Sequence, residues 1–106
     1  MVNFLIGCTG SVAAIRLDEI IASICKNFMN PQIKIILTKS AQYFVHYRNN
    51  KFLYFTDEDE WSTWKKRGDP ILHINLREWA DIFLISPLDC NTLAKISHGL
   101  CDNLLV

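Results

Sequence analysis

Three short polar runs and one histidine hold most of the side chains here that could do chemistry. Cys8-Thr9-Gly10-Ser11, Thr38-Lys39-Ser40 and Pro87-Leu88-Asp89-Cys90-Asn91-Thr92 each follow an apolar run. A glycine and a hydroxyl at the start of a helix leave backbone N–H groups free, which is what a phosphate needs. Gly10-Ser11 meets that description, although a plain tight turn is the commoner explanation, and neither GxGxxG nor GxxxxGK[ST] is present. Asn91 and Thr92 read either as hydrogen-bonding partners for the edge of a planar heterocycle or as a helix cap, the cap being the simpler reading. Asp89 is either an exposed helix-start acid or a residue that orients a ligand. His73 sits between Leu72 and Ile74, just past Gly68-Asp69-Pro70. A lone histidine in an apolar setting is more often structural than a proton donor or acceptor. His46 and His98 have still less to recommend them. With no Ser-His-Asp order and no Gly-x-Ser-x-Gly elbow, hydrolase chemistry has no support.

The elements that must position these residues follow from hydrophobic period. Phe4-Leu5-Ile6 is an uninterrupted apolar run ending at Gly7, as expected of a strand buried on both faces of a parallel sheet. From Ser11 the period changes. Ala13, Leu17, Ile20, Ile21, Ile24 and Phe28 recur at three and four, with Arg16, Asp18, Glu19, Lys26 and Asn27 opposite, which predicts one amphipathic helix. Asn30-Pro31 stops it, and 33–38 reads as a second strand. Strand, helix, strand is a βαβ unit with a right-handed crossover. The middle is less regular: a short helix over 41–47, an extended stretch over 52–55, and a helix start at Thr56, where four acids favour the dipole. That acidic run reads as a solvated helix end before it reads as a binding patch. A short helix is expected over 73–79, a buried strand over 82–85, and a last helix from Asn91 or Thr92 to His98, with Gly99 as its left-handed cap. In such a sheet the ligand crevice lies outside the carboxyl ends of the strands, where all three polar runs fall.

Length and composition exclude other classes. The 106 residues suffice for one domain, and 50% apolar with 21% charged residues is a globular balance. Lys plus Arg and Asp plus Glu number 11 each, so no basic excess exists to hold nucleic acid. The apolar runs fall far short of the roughly 20 residues that span a bilayer, so no membrane role is expected. The start carries no Lys or Arg before its apolar run and reads as a first strand, not a secretion signal, which points to a cytoplasmic protein. Cys8, Cys25, Cys90 and Cys101 show no paired spacing, so reduced thiols are expected and no metal site.

Six blocks, taken together and in order, carry more than any spacing does: Thr9 to Ala14, Thr56 to Trp61, Asp69 to Ile74, Arg77 to Asp81, Pro87 to Thr92 and Gly99 to Leu105. Over nearly the whole chain they resemble the homo-oligomeric flavin-containing cysteine decarboxylases, in their eukaryotic phosphopantothenoylcysteine decarboxylase branch. The resemblance implies an α/β Rossmann-like or flavodoxin-like three-layer fold with a parallel sheet. It also implies a homotrimer holding flavin mononucleotide (FMN) between subunits. By the family pattern, Gly10, Ser11 and Val12 form the first flavin loop, Thr38 and Ser40 the second, and Asp89, Cys90, Asn91 and Thr92 the third. His73 matches the active-site histidine. The implied reaction removes carbon dioxide from the cysteine carboxyl of 4'-phosphopantothenoylcysteine, giving 4'-phosphopantetheine for coenzyme A synthesis. Direct loss of that carboxyl would leave an unstabilised carbanion. In the family mechanism the flavin first oxidises the thiol to a thioaldehyde, whose C=S group takes up the electrons as carbon dioxide leaves.

This chain departs from the family pattern in two places. Many relatives have Ser-Ala-Asn-Thr where this chain has Asp89-Cys90-Asn91-Thr92, and Cys90 is the odder residue. Family members also continue past the position of Val106, through a Pro-Ala-Met-Asn segment that grips substrate and a flap cysteine that protonates the product. The expectation is therefore that 1–106 is the N-terminal part of a single flavoprotein domain, lacking its C-terminal strands and inactive alone. The competing reading is a non-catalytic flavoprotein-like subunit that acts through protein interaction, in phosphatase regulation or a mixed trimer. Regulatory forms typically carry long acidic extensions, which do not occur here.

Overall fold

The computed structural model describes residues 2–45, 52–63, 71–101 and 103–106, and for 61–63 the backbone alone. The Gly68-Asp69-Pro70 break and His46 lie outside the described residues. Strand β1 (Asn3–Cys8) leads through a 3-10 turn (Val12–Arg16) into helix α1 (Leu17–Asn27). Strand β2 (Gln32–Leu37), a second 3-10 turn (Ala41–Tyr43), β3 (Leu53–Phe55), α2 (Asp57–Thr63), α3 (Leu72–Trp79), β4 (Ile82–Ile85) and α4 (Cys90–His98) follow.

The four strands form one parallel sheet in the order β3-β2-β1-β4. In its register Ile6 lies opposite Ile35 on one side and Leu84 on the other. The expected arrangement holds, with β1 between the second and the last long strand. Alternation along β1 and β2 sends side chains to two faces. Phe4, Ile6, Ile33, Ile35 and Leu37 pack with Leu17, Ile21 and Ile24 of α1, and with Ala14 and Ala41 of the two 3-10 turns. Leu5 and Ile36 point the other way, onto Leu76 of α3 and the chain at Leu104 and Leu105. Helices on both faces make three layers. Ile6 and Ile35 are fully buried, each contributing roughly 1.5–3 kcal/mol of transfer free energy.

Two details differ from the sequence reading. The first turn after Ser11 is 3-10: the Ala14 N–H donates to the Ser11 carbonyl at 2.8 Å, and the Ser11 hydroxyl caps the turn by accepting the N–H of Ala13 at 3.3 Å. A three-residue period then turns Ala14, three before Leu17, into the core and leaves Ala13 exposed. Strand β4 has the composition of a buried strand but shows the unpaired edge expected where the C-terminal strands are lacking. Ile82, Phe83 and Leu84 keep 37–45% of their surface exposed, because among the described residues β4 pairs with β1 alone and stands at the sheet edge. Leu88, Leu93, Ile96 and Leu100 are exposed as well. Gly99 closes α4 at φ 72°, in the left-handed region where a side chain is strained.

Candidate functional site

The loop after β1 is bound to both of its neighbours. Thr9 is fully buried, and its hydroxyl donates to the carbonyl of Pro87 at 2.6 Å while accepting the N–H of Asp89 at 2.8 Å. The Thr9 N–H also reaches Pro87 O at 3.2 Å. On the other side Thr38 N–H donates to Cys8 O at 3.1 Å. At Gly10 the loops touch so closely that a Cβ there would lie 2.2 Å from the Cβ of Ser40. The first and second polar runs therefore meet at Gly10, and the first and third meet at Thr9.

Each run also holds itself in shape. Ser11 caps the first 3-10 turn. Thr38 is buried and its hydroxyl accepts the N–H of Ala41 at 3.2 Å, starting the second turn. Asp89 Oδ1 accepts the N–H of Thr92 at 2.7 Å, so Asp89 is the N-cap of α4 and Thr92 is buried beneath it. The cap expected of Asn91 or Thr92 is thus supplied by Asp89, two or three residues earlier. Val12, Ser40, Cys90 and Asn91 are exposed on this edge, and Gly10 and Ser11 are half-buried. Cys8, at the end of β1, is a core residue: burial pushes its thiol up to about 11, so it is no nucleophile.

His73 stands apart from these loops. Helix α3 ends at the amino edge of the sheet, where Trp79 O accepts the Asn3 side-chain amide at 3.0 Å, and Leu76 packs over Leu5 and Ile36. Its first turn, with His73, therefore points toward the carboxyl edge, where α2 begins directly after β3. Between them lies a cleft of about 410 Å³ lined by Asp57, Glu60, His73, Cys101 and Leu104 among others. The His73 ring Nδ1 is 2.6 Å from Glu60 Oε1, and the His73 backbone N–H donates to Glu60 Oε2 at 3.0 Å. Asp57 Oδ1 accepts the N–H of Leu104 at 2.9 Å and so forms the cleft's far wall. None of the loop residues lines this cleft. The 3-10 turns pack on the α1 side of the sheet and α3 on the other.

The acidic run at 57–60 thus divides. Asp59 is a capping residue, its Oδ2 accepting the Thr56 N–H at 2.8 Å, as the sequence suggests. Asp57 and Glu60, three apart on one helical face, turn instead to the cleft. The sequence sets Thr9 in a polar run and the two acids at a helix start, and gives none of the three an individual role. Thr9 and Asp89 are 80 residues apart, and Glu60 and His73 are 13, so only tertiary structure joins them.

A family model described as Flavoprotein matches residues 1–106. The chain belongs to the flavoprotein family. A phosphopantothenoylcysteine decarboxylase from Oryza sativa subsp. japonica is 48% identical to this flavoprotein over 104 residues, covering 95% of this chain and 46% of its own. A solved PPC decarboxylase variant complexed with pantothenoylaminoethenethiol superposes with a TM-score of 0.89 at 43% identity, over 98% of this chain and 57% of that one. The FMN-binding protein AtHal3 superposes with a TM-score of 0.84 at 45% identity, over 97% of this chain and 55% of its own. This flavoprotein spans about half the length of the curated relatives it matches. Its parallel α/β sheet is the fold of these neighbours. Among the described residues no helix is long and apolar enough to cross a membrane.

Proposed function

We propose that this flavoprotein holds FMN on its three joined loops and serves as a decarboxylase of 4'-phosphopantothenoylcysteine, yielding 4'-phosphopantetheine for coenzyme A synthesis. The observation that carries the reading is the joining of the three loops, the first to the second at Gly10 and the first to the third at Thr9. Ser40 stands where a Gly10 side chain would be, so the first two loops close together and bring small residues and the hydroxyl-bearing Ser11 and Ser40 to one place. Such a cradle of small groups fits the phosphate end of the cofactor. On the same edge the Asn91 carboxamide offers a donor and an acceptor, which fits the alternating acceptors and donors of a flavin ring. Gly10, Ser11, Val12, Thr38, Ser40, Asp89, Cys90, Asn91 and Thr92 are the residues proposed to form this site, with Thr38, Asp89 and Thr92 setting the loop shapes. The names of the relatives support both the cofactor and the substrate class.

FMN, when bound, supplies the two-electron oxidation of the substrate thiol and the returning hydride, which together make the carboxyl a group that can leave. The remaining work falls to the protein. The loops fix the cofactor against the edge of the sheet and keep water from it. His73 holds or moves a proton beside the substrate carboxylate and thiol. Because the 3-10 turns of the first two loops pack on the α1 face and the His73 helix on the other, a homotrimer with the cofactor between subunits would bring the loops of one copy to the His73 of the next. Exposed Cys25, Cys90 and Cys101 fit a reducing, cytoplasmic setting.

The test uses the full-length protein: titration with FMN, followed by incubation with 4'-phosphopantothenoylcysteine and mass analysis of the product. Bound flavin and a product lighter by carbon dioxide are expected. Bound flavin with unchanged substrate would favour the interaction-subunit reading, and failure to bind flavin would overturn the proposal.

A further inference from the structure

We infer that Glu60 is the positioning residue for His73, fixing which ring nitrogen exchanges the proton; this rests on the reading of His73 as the residue that acts on substrate. Glu60 holds His73 at two points. Oε2 takes the backbone N–H at 3.0 Å and Oε1 lies 2.6 Å from Nδ1. The backbone contact matters because His73 lies in the first turn of α3, where N–H groups have no partner within the helix, and the N-cap Ile71 offers none from its side chain. A carboxylate accepts hydrogen bonds and donates none, so at 2.6 Å it requires the proton on Nδ1. Nε2 is then the nitrogen left to exchange a proton with substrate. The same division of labour, a carboxylate on one ring nitrogen and chemistry on the other, orients histidines in triads and at metals.

Glu60 is itself held in place. It lies one turn after Asp57, whose Oδ1 is tied to Leu104 N–H, and the start of α2 is closed by Asp59 on Thr56. The Glu60 side chain is only 16% exposed, against 55% for His73. The carboxylate is thus the sheltered partner and the imidazole the one open to the cleft. That asymmetry is what a positioning residue beside a working one should show.

The experiment uses full-length, FMN-loaded protein and four variants: Glu60→Ala, Glu60→Gln, His73→Asn and Glu60→Ala/His73→Asn. Nitrogen-15 NMR of the His73 ring should show the proton on Nδ1 in the wild type and a mixture of tautomers in Glu60→Ala. Turnover in Glu60→Ala should fall roughly 10–100-fold with KM and flavin content little changed. In the His73→Asn background the same change should cost less than about 2-fold, because Glu60 acts only through His73. Glu60→Gln keeps one acceptor oxygen for two donors and should fall between wild type and Glu60→Ala. It guards against a Glu60→Ala protein that does not fold.

A wild-type ring protonated on Nε2, wild-type turnover in both Glu60 variants, or an undiminished Glu60→Ala loss in the His73→Asn background would overturn the inference. Near-normal turnover in His73→Asn would overturn it along with the His73 reading. If the wild type releases no carbon dioxide, the decarboxylase reading falls alone, and the ring tautomer in wild type and Glu60→Ala decides the role of Glu60.

Discussion

Replacing Gly10 by Ala tests the joined loops at their tightest point. The new Cβ would lie 2.2 Å from Ser40 Cβ, 3.2 Å from Ser40 C and 3.3 Å from Ser40 Cα. Carbon atoms in ordinary contact stand about 3.5–4.0 Å apart, so the loops after β1 and β2 must separate by roughly 1.5 Å. No rotamer change relieves this, because the atoms met are a Cβ and backbone. Overpacking of this kind costs about 1–3 kcal/mol. Taken entirely from cofactor binding, that weakens FMN affinity by roughly 5–150-fold. FMN fluorescence quenching gives the affinity and thermal unfolding of the apoprotein gives the share that falls on stability. The structure also specifies a rescue: Ser40→Gly removes the 2.2 Å contact and leaves two, at 3.2 and 3.3 Å, that need the backbone to give by only a few tenths of an ångström. Gly10→Ala should therefore cost far less when added to Ser40→Gly than when added to the wild type. Unchanged FMN affinity and unchanged stability in Gly10→Ala would refute the close contact and the cradle built on it.

Two further outcomes follow from buried groups at the same edge. Thr9→Val keeps the shape of the side chain but strips the Asp89 N–H of its 2.8 Å acceptor; a loss of about 1–3 kcal/mol in chemical denaturation is expected, with weaker FMN binding as the third loop loosens. The Cys8 thiol, pushed up to about 11 from an ordinary 9.0, favours the folded protein while neutral. Its contribution is complete below pH 9 and is lost as pH rises through 11, so wild-type thermal stability should fall more steeply than that of Cys8→Ala over that range.

How far the sequence foretold this structure depends on the range of the interactions involved. The period of three and four placed α1, the apolar runs placed β1 and β2, and Gly99 marked the end of α4, since each of these rests on neighbours in the chain. Ala14 rather than Ala13 faces the core because the first turn after Ser11 is 3-10, a change of period that the apolar spacing alone does not report. The Ile-Phe-Leu-Ile composition of β4 reads as buried, whereas its exposed edge was legible only through the resemblance, which implies further strands beside it. The three polar runs were legible as the carboxyl-edge loops. Their knitting through Thr9 was not, and neither was the turn of Asp57 and Glu60 away from the solvated acidic end, because both depend on partners that only the fold brings near. His73 drew interest chiefly through the resemblance of its surrounding block. Its carboxylate partner became visible only with α2 and α3 side by side.

The central claim is that this flavoprotein uses His73 on a substrate carboxylate beside a cofactor held by the three loops. It is tested most directly by single-turnover release of labelled carbon dioxide from 4'-phosphopantothenoylcysteine carrying carbon-13 in the cysteine carboxyl. Full-length wild type and His73→Asn, matched for bound flavin by visible absorbance, would be compared. The expected result is one label released per flavin in the wild type and a rate at least about 100-fold slower in His73→Asn with its flavin intact. Equal rates in the two proteins, or a flavin-loaded wild type that retains the label in its substrate, would contradict it.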